Sequence, residues 1–396
     1  MTDFNATRAA FYLPPDIIYL DGNSLGPLPK GAQAAMNHVL NDEWGEMVIT
    51  GWNRAGWMAL PQVLGNRIAR LIGAEDDHVT VGDTLSIRLY QALGAAVAMT
   101  DRKVVLTDTG NFPSDLYMAQ GLLETLGQGH ELRGVAPQDI AASLSDEVGV
   151  LMLTQVDYRS GQMHDMATLT AQAHELGIVT VWDLAHSAGA VEVDLIGAAV
   201  DFAVGCTYKY LNGGPGSPAF LYVAPRHVET AQTVLNGWLG HADPFAFEPT
   251  YRPGPGITRM RVGTPAILQM CALDAALDIF DMTNMADIRA KSIELTERFI
   301  AGIEANCPSL TLASPRDAKQ RGSQISLRSE HGYAAMQALI ARGVIGDFRA
   351  PDLMRFGFTP LYVNESDVDA AVALISEVIE QRLWDKPEYY HRNAVT

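Results

Sequence analysis

The stretch VWDLAH at residues 181–186, followed by TYKYLNGGPG at residues 207–216, decides the fold of this chain. Asp183 ends an apolar run that is typical of a buried strand. Lys209 follows a second apolar run, at residues 202–206, and lies between two tyrosines ahead of a glycine-rich turn. The two runs predict strands of an open α/β sheet, whose carboxyl edge is where such sheets bind ligands.

A lysine amine and a carboxylate at one sheet edge are the two charges that pyridoxal phosphate requires. The cofactor's aldehyde forms a Schiff base with a lysine, and a carboxylate keeps its ring nitrogen protonated so that the ring is an electron sink. A lone lysine is more often a solvated surface residue, and a lone aspartate is often a helix N-cap. Without a cation beside it, however, Asp183 would be a costly unpaired charge in a buried strand. The pair therefore predicts a pyridoxal-phosphate enzyme.

Composition excludes several other classes of protein. The 396 residues are 48% hydrophobic and 19% charged, which is typical of a globular chain with more than one domain. A net charge of −18 disfavours nucleic acid and anionic membranes as partners and leaves small molecules. Three scattered cysteines and an N-terminus without an apolar signal core predict a cytoplasmic protein.

Helical spacing alternates with short apolar strands between about residue 61 and residue 223. This alternation predicts an α/β fold, in which a large domain contains a mostly parallel sheet of the seven-stranded type flanked by helices. The predicted strands are 78–81, 103–107, 148–156, 178–183, 201–206 and 219–223, and helices are predicted near 61–72, 84–99, 114–126 and 166–176.

The pattern changes after the Pro/Gly-rich run at residues 249–256, which predicts an exposed loop. Beyond it, a smaller α+β domain is predicted, with helices at 267–282 and 285–306, strands at 324–328 and 344–348, and a last helix from the capping signal Ser366-x-x-Asp369 to about Leu383. We expect three parts: an N-terminal arm packed with the small domain (1–50), a large cofactor-binding domain (51–260) and the small C-terminal domain (261–396).

Two strand-to-helix turns are candidates for holding the cofactor. The turn GDTLS at residues 82–86 offers backbone N–H groups, a helix N-terminus and the Ser86 hydroxyl to a phosphate, although an ordinary helix cap fits it as well. The turn NFPSD at residues 111–115 offers Phe112 as an aromatic face for the ring, and a core phenylalanine is the alternative. His186 either is a satisfied core residue or hydrogen-bonds Asp183 or the phenolic side of the ring.

A substrate carboxylate is best held by a bidentate arginine. The candidates are Arg355, Arg349, Arg259 and Arg261. Arg355 stands alone in an apolar, strand-like run, where a structural salt bridge is the alternative. The ten histidines show no HExxH spacing, and no Gly-x-Ser-x-Gly turn is present, so neither a metal site nor a serine hydrolase is predicted.

The motifs DGNSLG (21–26), NFPSD (111–115), WDLAHS (182–187) and YKYLN (208–212) together resemble the kynureninase family. The resemblance covers nearly the whole chain. It implies pyridoxal-phosphate fold type I and hydrolysis of L-kynurenine, or its 3-hydroxy form, to anthranilate or 3-hydroxyanthranilate and L-alanine in tryptophan degradation. The sequence does not decide between the two substrates.

The resemblance also implies roles for individual residues. Lys209 would bind the cofactor's aldehyde, Asp183 its ring nitrogen, and Tyr208 its phosphate while also donating a proton. Trp238 and Thr264 match positions that reach the phosphate of the neighbouring subunit, which implies a homodimer with the active site at the interface. The other cofactor contacts implied are Leu85, Ser86, Phe112, Pro113, Ser114, Asp115, Thr154 and His186, and the implied substrate contacts are Arg355, Asn23 and Trp52, an aromatic residue of the Trp52–Trp57 loop.

One residue departs from the family pattern, because Arg88 occupies a position where an asparagine is expected. Two rival functions stay open. A cysteine desulfurase of the same fold would need a mobile nucleophilic cysteine, for which Cys307 is the candidate, and a catalytically silent binding protein would keep the fold without turnover.

Overall fold

A central seven-stranded sheet organises the computed structural model, which describes residues 2–392. The strands of the chain are β1 (Ile18–Tyr19), β2 (Val79–Val81), β3 (Val104–Asp108), β4 (Glu131–Val135), β5 (Val148–Thr154), β6 (Val179–Asp183), β7 (Phe202–Gly205), β8 (Phe220–Val223), β9 (Thr311–Leu312), β10 (Gln324–Arg328), β11 (Val344–Ile345), β12 (Asp347–Arg349) and β13 (Leu353–Gly357). The strand order of the central sheet is β2-β8-β7-β6-β5-β3-β4, and β8 alone runs antiparallel to its neighbours. The predicted α/β class with a mostly parallel sheet is confirmed.

Helices cover both faces of this sheet. They are α1 (Phe4–Ala9), α2 (Lys30–His38), α3 (Gly45–Met47), α4 (Gly51–Arg54), α5 (Leu60–Leu71), α6 (Leu85–Val97), α7 (Pro113–Leu126), α8 (Ile140–Ser143), α9 (Met166–Glu175), α10 (Ile267–Phe280), α11 (Met285–Asn306), α12 (Gly332–Ile340) and α13 (Glu365–Glu380). Both faces must be covered because the strands are apolar on both sides. In β5, for example, all seven residues are buried, and apolar side chains point to both faces of the sheet. One hydrophobic core forms under α6 and α7, and a second, larger one lies on the opposite face and continues into the C-terminal part.

The parallel register brings the polar strand ends to one edge. Thr154 at the end of β5 pairs with Asp183 at the end of β6, and Asp183 pairs with Val204 of β7. The chain leaves β7 directly into the segment that carries Lys209. The carboxyl edge of the sheet therefore collects the residues predicted to form the site.

A second sheet lies in the C-terminal part, with the antiparallel order β12-β13-β10-β9. The N-terminal arm joins this part because β1 pairs in parallel with β11. The carbonyl oxygen of Leu20 then accepts a hydrogen bond of 2.7 Å from the N–H of Gly357, at the end of β13. The domain boundaries proposed from sequence stay a prediction.

Two local predictions are wrong. The last helix begins at Glu365 rather than after Ser366, because Asn364 caps it and forms a capping box with Asp367. Asp369 is instead paired with Arg298, at 2.5 Å.

The predicted strand 344–348 is interrupted at Gly346, so that β11 pairs with β1 and β12 pairs with β13. A Cβ at Gly346 would lie 2.6 Å from the carbonyl oxygen of Arg355, which explains the glycine at this break. The strands β1, β4 and β9 were not predicted, and two of them are only two residues long, too short for a periodic signal.

Candidate active site

Lys209 lies in the turn that follows β7 and points toward aromatic and imidazole groups. Its Nζ is 3.0 Å from Nε2 of His186 and 5.9 Å from the centroid of the Phe112 ring. The turn is closed by Asn212, which has a left-handed φ of 58° and donates its N–H to the carbonyl oxygen of Lys209 at 2.9 Å. The structure therefore places the predicted lysine beside two of the predicted cofactor contacts.

Asp183 lies at the end of β6, where its side chain is only 3% exposed. Its Oδ1 accepts a hydrogen bond of 2.8 Å from the N–H of Ala185, but a turn rather than a helix follows, so the helix N-cap considered from sequence is not formed. Burial raises the pKa of Asp183, and the charge of Lys209 and the Ala185 N–H oppose that rise. A buried carboxylate within the field of Lys209 is the arrangement that the sequence predicted.

Asp115 places a second buried carboxylate beside the first. Burial and then the charge of Asp183 raise the pKa of Asp115 well above its usual range. Thr154 lies between the strand ends, and its hydroxyl donates to Oδ1 of Asn111 at 2.5 Å. Two carboxylates this close favour a cation between or beside them, because one of them must otherwise be protonated.

His186 contacts Lys209 and not Asp183, so the hydrogen bond to Asp183 that was one of the alternatives is not formed. Its ring is 4% exposed, and Nδ1 is buried without a hydrogen-bond partner among residues 2–392. Burial, followed by the charges of Lys209, Arg355 and Arg349, lowers the pKa of His186 well below its usual value. His186 is therefore neutral, and Nδ1 is an orphaned polar atom that a bound ligand would satisfy.

The N-termini of α6 and α7 meet at the predicted phosphate turn. Ser86 in the first turn of α6 and Ser114 in the first turn of α7 are joined through their hydroxyl oxygens at 2.8 Å. Thr84, at the N-cap of α6, makes no side-chain capping bond in the described chain, so the simple helix cap is not what this turn provides. Leu85 and Pro113 are the first residues of the two helices, and two helix dipoles with two hydroxyls favour an anion here.

Phe112 presents an aromatic face, with 40% of the residue exposed. Its ring packs edge-to-face on Tyr158, at 5.1 Å between centroids. Its backbone N–H donates to Oδ1 of Asn111 at 2.7 Å, which fixes the entry of the chain into α7. The alternative of a buried core phenylalanine is wrong.

Tyr208 lies against Lys209, whose Nζ is 5.8 Å from the tyrosine ring centroid. The Cys206 thiol, then burial and the nearby carboxylates, raise the pKa of Tyr208 above its ordinary value. The phenol therefore keeps its proton at neutral pH. Cys206 is 2% exposed, and nothing in the sequence indicated that its thiol lies beside Tyr208.

Arg355 is 1% exposed and forms the salt bridge that was the alternative considered from sequence. Its Nε donates to Oδ1 of Asp347 at 2.6 Å, and its Nη2 donates to Oδ2 of Asp347 and to Oγ of Ser24. Its Nη1 donates to the carbonyl oxygen of Tyr158. Asp347 was not predicted from sequence, although its position two residues before Arg349 in a short strand was the available signal.

The other arginine candidates have different surroundings. Arg349 is half-buried beside the same carboxylate, with Nη2 at 2.8 Å from Oδ2 of Asp347. Arg259 is paired with Glu229 at 3.2 Å. Arg261 has a buried Nη2 without a partner among the described residues.

Among residues 2–392, the other residues predicted to contact cofactor or substrate form no recorded hydrogen bond with Lys209. Trp238 is 42% exposed, and Thr264 is exposed. Trp52 packs edge-to-face on Trp57, at 5.4 Å. Asn23 is fully buried, and both of its amide atoms lack a partner in the described chain. Their roles stay predictions.

Arg88 is 1% exposed and connects three parts of the chain behind the phosphate turn. Its Nε donates to the carbonyl oxygen of Gly82 at 2.8 Å, and its Nη1 donates to the carbonyl oxygen of Met260 at 2.6 Å and to Gln91 at 2.7 Å. Burial lowers its pKa to about 10, with Asp83 opposing that shift. Arg88, the residue that departs from the family pattern, therefore helps to hold this turn in place.

The residues present fit pyridoxal phosphate. A protonated ring nitrogen would supply the cation that the Asp183–Asp115 pair lacks, Phe112 offers an aromatic face, and Nδ1 of His186 is a polar atom that needs a partner. The α6–α7 turn suits the phosphate. None of the helices within residues 2–392 has the length and apolar character needed to span a membrane.

Comparison with known proteins agrees with this chemistry. Residues 288–375 match the family described as the kynureninase C-terminal domain. A kynureninase of Burkholderia mallei is 50% identical over 98% of this chain and 95% of that protein, and a kynureninase of Pseudomonas fluorescens is 48% identical over the same shares.

Solved structures support the fold. A cysteine desulfurase of Thermococcus onnurineus superposes with a TM-score of 0.81 at 18% identity, covering 95% of this chain and 98% of that one. A mutant of C-DES, with glycine covalently linked to its PLP cofactor, superposes with a TM-score of 0.83 at 18% identity, covering 93% of this chain and 99% of that one. At this identity the likeness is one of fold, whereas identity near one half over almost the full length shows that the chain belongs to the kynureninase family.

Proposed function

We propose that this protein is a pyridoxal-phosphate-dependent hydrolase that cleaves the Cβ–Cγ bond of L-kynurenine to give anthranilate and L-alanine, with 3-hydroxy-L-kynurenine as an alternative substrate. Half identity to kynureninases over 98% of the chain supports the assignment. The observation that carries it is the meeting of Lys209, His186 and the buried Asp183 at one sheet edge.

When bound, the cofactor supplies an electron sink for the charge that develops on the substrate. Asp183 would hold the proton on the ring nitrogen, and Phe112 would lie against the ring. The α6–α7 turn, with Ser86 and Ser114, would hold the phosphate. Thr154, at the neighbouring strand end, pairs in register with Asp183 and donates to Oδ2 of Asp115, in the first turn of α7, at 3.5 Å.

Proton movements are divided between Lys209 and Tyr208. Lys209 takes the proton from the substrate's α-carbon as the general base. Neutral His186 accepts a hydrogen bond from Lys209, which keeps the amine on one side of the pocket. A water molecule adds to the γ-carbonyl, the Cβ–Cγ bond breaks to release anthranilate, and Tyr208, which keeps its proton at neutral pH, protonates the β-carbon before alanine leaves.

The direct test is to incubate the pure protein with pyridoxal phosphate and L-kynurenine and to follow anthranilate fluorescence. L-Cysteine in a parallel assay for sulfide tests the desulfurase alternative. Anthranilate without sulfide supports the proposal, and sulfide without anthranilate would replace it. A yellow protein that turns over neither amino acid would favour the silent binding protein.

One observation disfavours the desulfurase. Cys307 is fully buried at the end of α11, and its Sγ lies 3.2 Å from Oγ of Ser376 in α13. A thiol packed between two helices lacks the mobility that a sulfur-transferring nucleophile needs.

We also propose a homodimer with the active site at its interface. An exposed aromatic cluster supports it, because Trp238 packs on Phe245 at 5.7 Å and Phe245 on Phe247 at 6.3 Å, and Phe247 is 78% exposed. Such a patch on a monomer is expected to be covered. Light scattering should give twice the chain mass, and Trp238→Ala should weaken both dimerisation and cofactor binding.

A cytoplasmic location is part of the same proposal. The three cysteines, Cys206, Cys271 and Cys307, are free thiols, which suits a reducing compartment.

A further inference from the structure

A cluster of two carboxylates and two guanidinium groups lies where the N-terminal arm meets β12 and β13. Asp347 is held by Arg355 on one side and by Arg349 on the other. Ser24 joins the cluster, because its hydroxyl donates to Oδ2 of Asp347 at 2.7 Å and accepts from Nη2 of Arg355 at 3.1 Å. The second carboxylate is Asp21, three residues before Ser24.

The position of Asp21 is set by backbone bonds on both sides. The preceding residue, Leu20, donates to the carbonyl oxygen of Ile345 at 2.8 Å and accepts from Gly357 at 2.7 Å. The carbonyl oxygen of Asp21 then accepts the N–H of Ser24 at 2.9 Å. Oδ1 of Asp21 is buried and has no hydrogen-bond partner among residues 2–392. The side chain is therefore fixed beside the cluster without sharing in its ion pairs.

The two carboxylates differ in their charge at neutral pH. Burial raises the pKa of Asp347, but the bonds and charges of Arg355 and Arg349 outweigh burial and leave that pKa below the usual value. Burial and then the charge of Asp347 raise the pKa of Asp21 to about 7, against the opposing effects of Ser24 and the two arginines. Asp347 is therefore an anion, whereas the charge of Asp21 changes near neutral pH.

The other titratable groups facing Asp21 are phenols. They belong to Tyr19 of β1, Tyr210 after β7 and Tyr362 after β13, and burial raises the pKa of each above its ordinary value. All three stay neutral near pH 7. Asp21 is thus the member of this group whose charge changes there.

The cluster borders the pocket of Lys209. Arg355 donates to the carbonyl oxygen of Tyr158, whose ring packs on Phe112. The charges of Arg355 and Arg349 also contribute to the lowered pKa of His186. An amino-acid substrate lying on Phe112 would bring its α-carboxylate to this cationic side, where Arg349 is 37% exposed at its side chain.

We infer that Asp21 takes up a proton from solvent when the substrate's α-carboxylate binds beside Arg349 and Arg355, so that substrate capture and protonation of Asp21 are coupled. This inference rests on the proposed function. With Asp21 neutral, the two arginines and Asp347 leave one net positive charge for the incoming anion. With Asp21 ionised, the net charge of the cluster is zero, and the attraction for the incoming anion is lost.

The sign of the pH dependence follows from this coupling. The bound carboxylate raises the pKa of Asp21, so binding is strongest below that pKa and weakens as pH rises through it. For each unit by which the bound carboxylate raises the pKa of Asp21, KM for L-kynurenine should increase about tenfold between roughly pH 6 and pH 8.5. The value of kcat should change little. Asp21 acts here as a positioning residue, through the charge of the anion site.

Steady-state kinetics on the holoenzyme test this coupling. Asp21→Asn should remove most of the rise in KM while leaving kcat within about twofold. Asp16→Asn, at an exposed site of the same arm, removes an equal charge and should keep the wild-type profile. Kynurenine amide, which lacks the carboxylate, should show the same pH profile with the wild type and with Asp21→Asn. A KM that rises equally in wild type and Asp21→Asn would overturn the inference.

Calorimetry gives a readout independent of turnover. L-Alanine is titrated at about pH 7 in two buffers of different ionisation enthalpy, which yields the protons taken up on binding. Wild type and Asp16→Asn should take up more protons than Asp21→Asn, and Asp21→Ser serves if the asparagine variant is poorly folded. Equal uptake by all variants would refute the coupling. Absence of anthranilate production, with this difference in uptake intact, would refute the proposed function alone.

Discussion

Nζ of Lys209 lies 3.0 Å from Nε2 of His186, so two nitrogen bases share one wall of the pocket. His186 is neutral, because burial and the surrounding cations lower its pKa. The imidazole can therefore accept a hydrogen bond from the lysine without competing for its charge. Its second nitrogen is buried and lacks a partner in the described chain, which leaves it for a bound ligand.

Lys209→Ala tests the amine. We expect kcat for kynurenine to fall by at least about a thousandfold, because the general base is lost, and the Schiff-base absorbance of the cofactor to disappear. Anthranilate fluorescence and a visible spectrum measure the two effects. Lys319→Ala, at an exposed lysine, should change neither. A Lys209→Ala protein with normal turnover would end the proposed role of this residue.

Arg88→Met tests the hydrogen bonds that Arg88 makes behind the phosphate turn. Loss of the buried guanidinium leaves the carbonyl oxygens of Gly82 and Met260 without their donor, which should lower the free energy of unfolding by about 3 kcal/mol. The half-saturation concentration for pyridoxal phosphate should rise, because Gly82 opens the phosphate turn. Denaturant unfolding measures the free energy, and cofactor titration measures the half-saturation concentration. Arg70→Met, at an exposed arginine, is the control. Unchanged cofactor affinity would show that Arg88 contributes to folding alone.

Asp201→Asn tests a buried carboxylate remote from the site. Asp201 accepts bonds from Thr180 N, His174 and His227 at 2.7 to 2.8 Å, and although burial acts to raise its pKa, these bonds hold it well below the usual range. The substitution should cost about 3 kcal/mol of unfolding free energy at neutral pH.

The sign of its pH dependence follows from the depressed pKa. The stabilisation by Asp201 is present above the unfolded-state pKa of about 4 and is lost as pH falls below it. The difference in unfolding free energy between wild type and variant should therefore shrink under acid conditions, as urea titrations at several pH values would show. A difference independent of pH would mean that the shape of the side chain, and not its charge, is responsible for the lost stability.

Cys307→Ala separates the proposed hydrolase from the cysteine desulfurase alternative. Because Cys307 is packed against Ser376, we expect kynurenine turnover within about twofold of wild type and an unfolding free energy lower by about 1 kcal/mol. Parallel kinetic and thermal measurements check both. Loss of kynurenine turnover with an intact fold would contradict the placement of this thiol outside the chemistry.

Much of the large sheet was predictable, since continuous apolar runs such as the seven buried residues of β5 predict strands covered on both faces. Lys209 and Asp183 were predictable because each follows such a run. The break at Gly346 and the cap at Asn364 were missed, because each depends on a partner contact rather than on periodicity.

The sequence by itself determined the α/β class, the residues at the carboxyl edge of the sheet and the chemical types available there, because hydrophobic periodicity is a local property. Only the tertiary structure decided which charges meet. Arg355 pairs with Asp347, Asp21 lies beside that pair, and His186 contacts Lys209. These meetings depend on how the arm, the large sheet and the C-terminal sheet pack, and burial there sets the charge of each group.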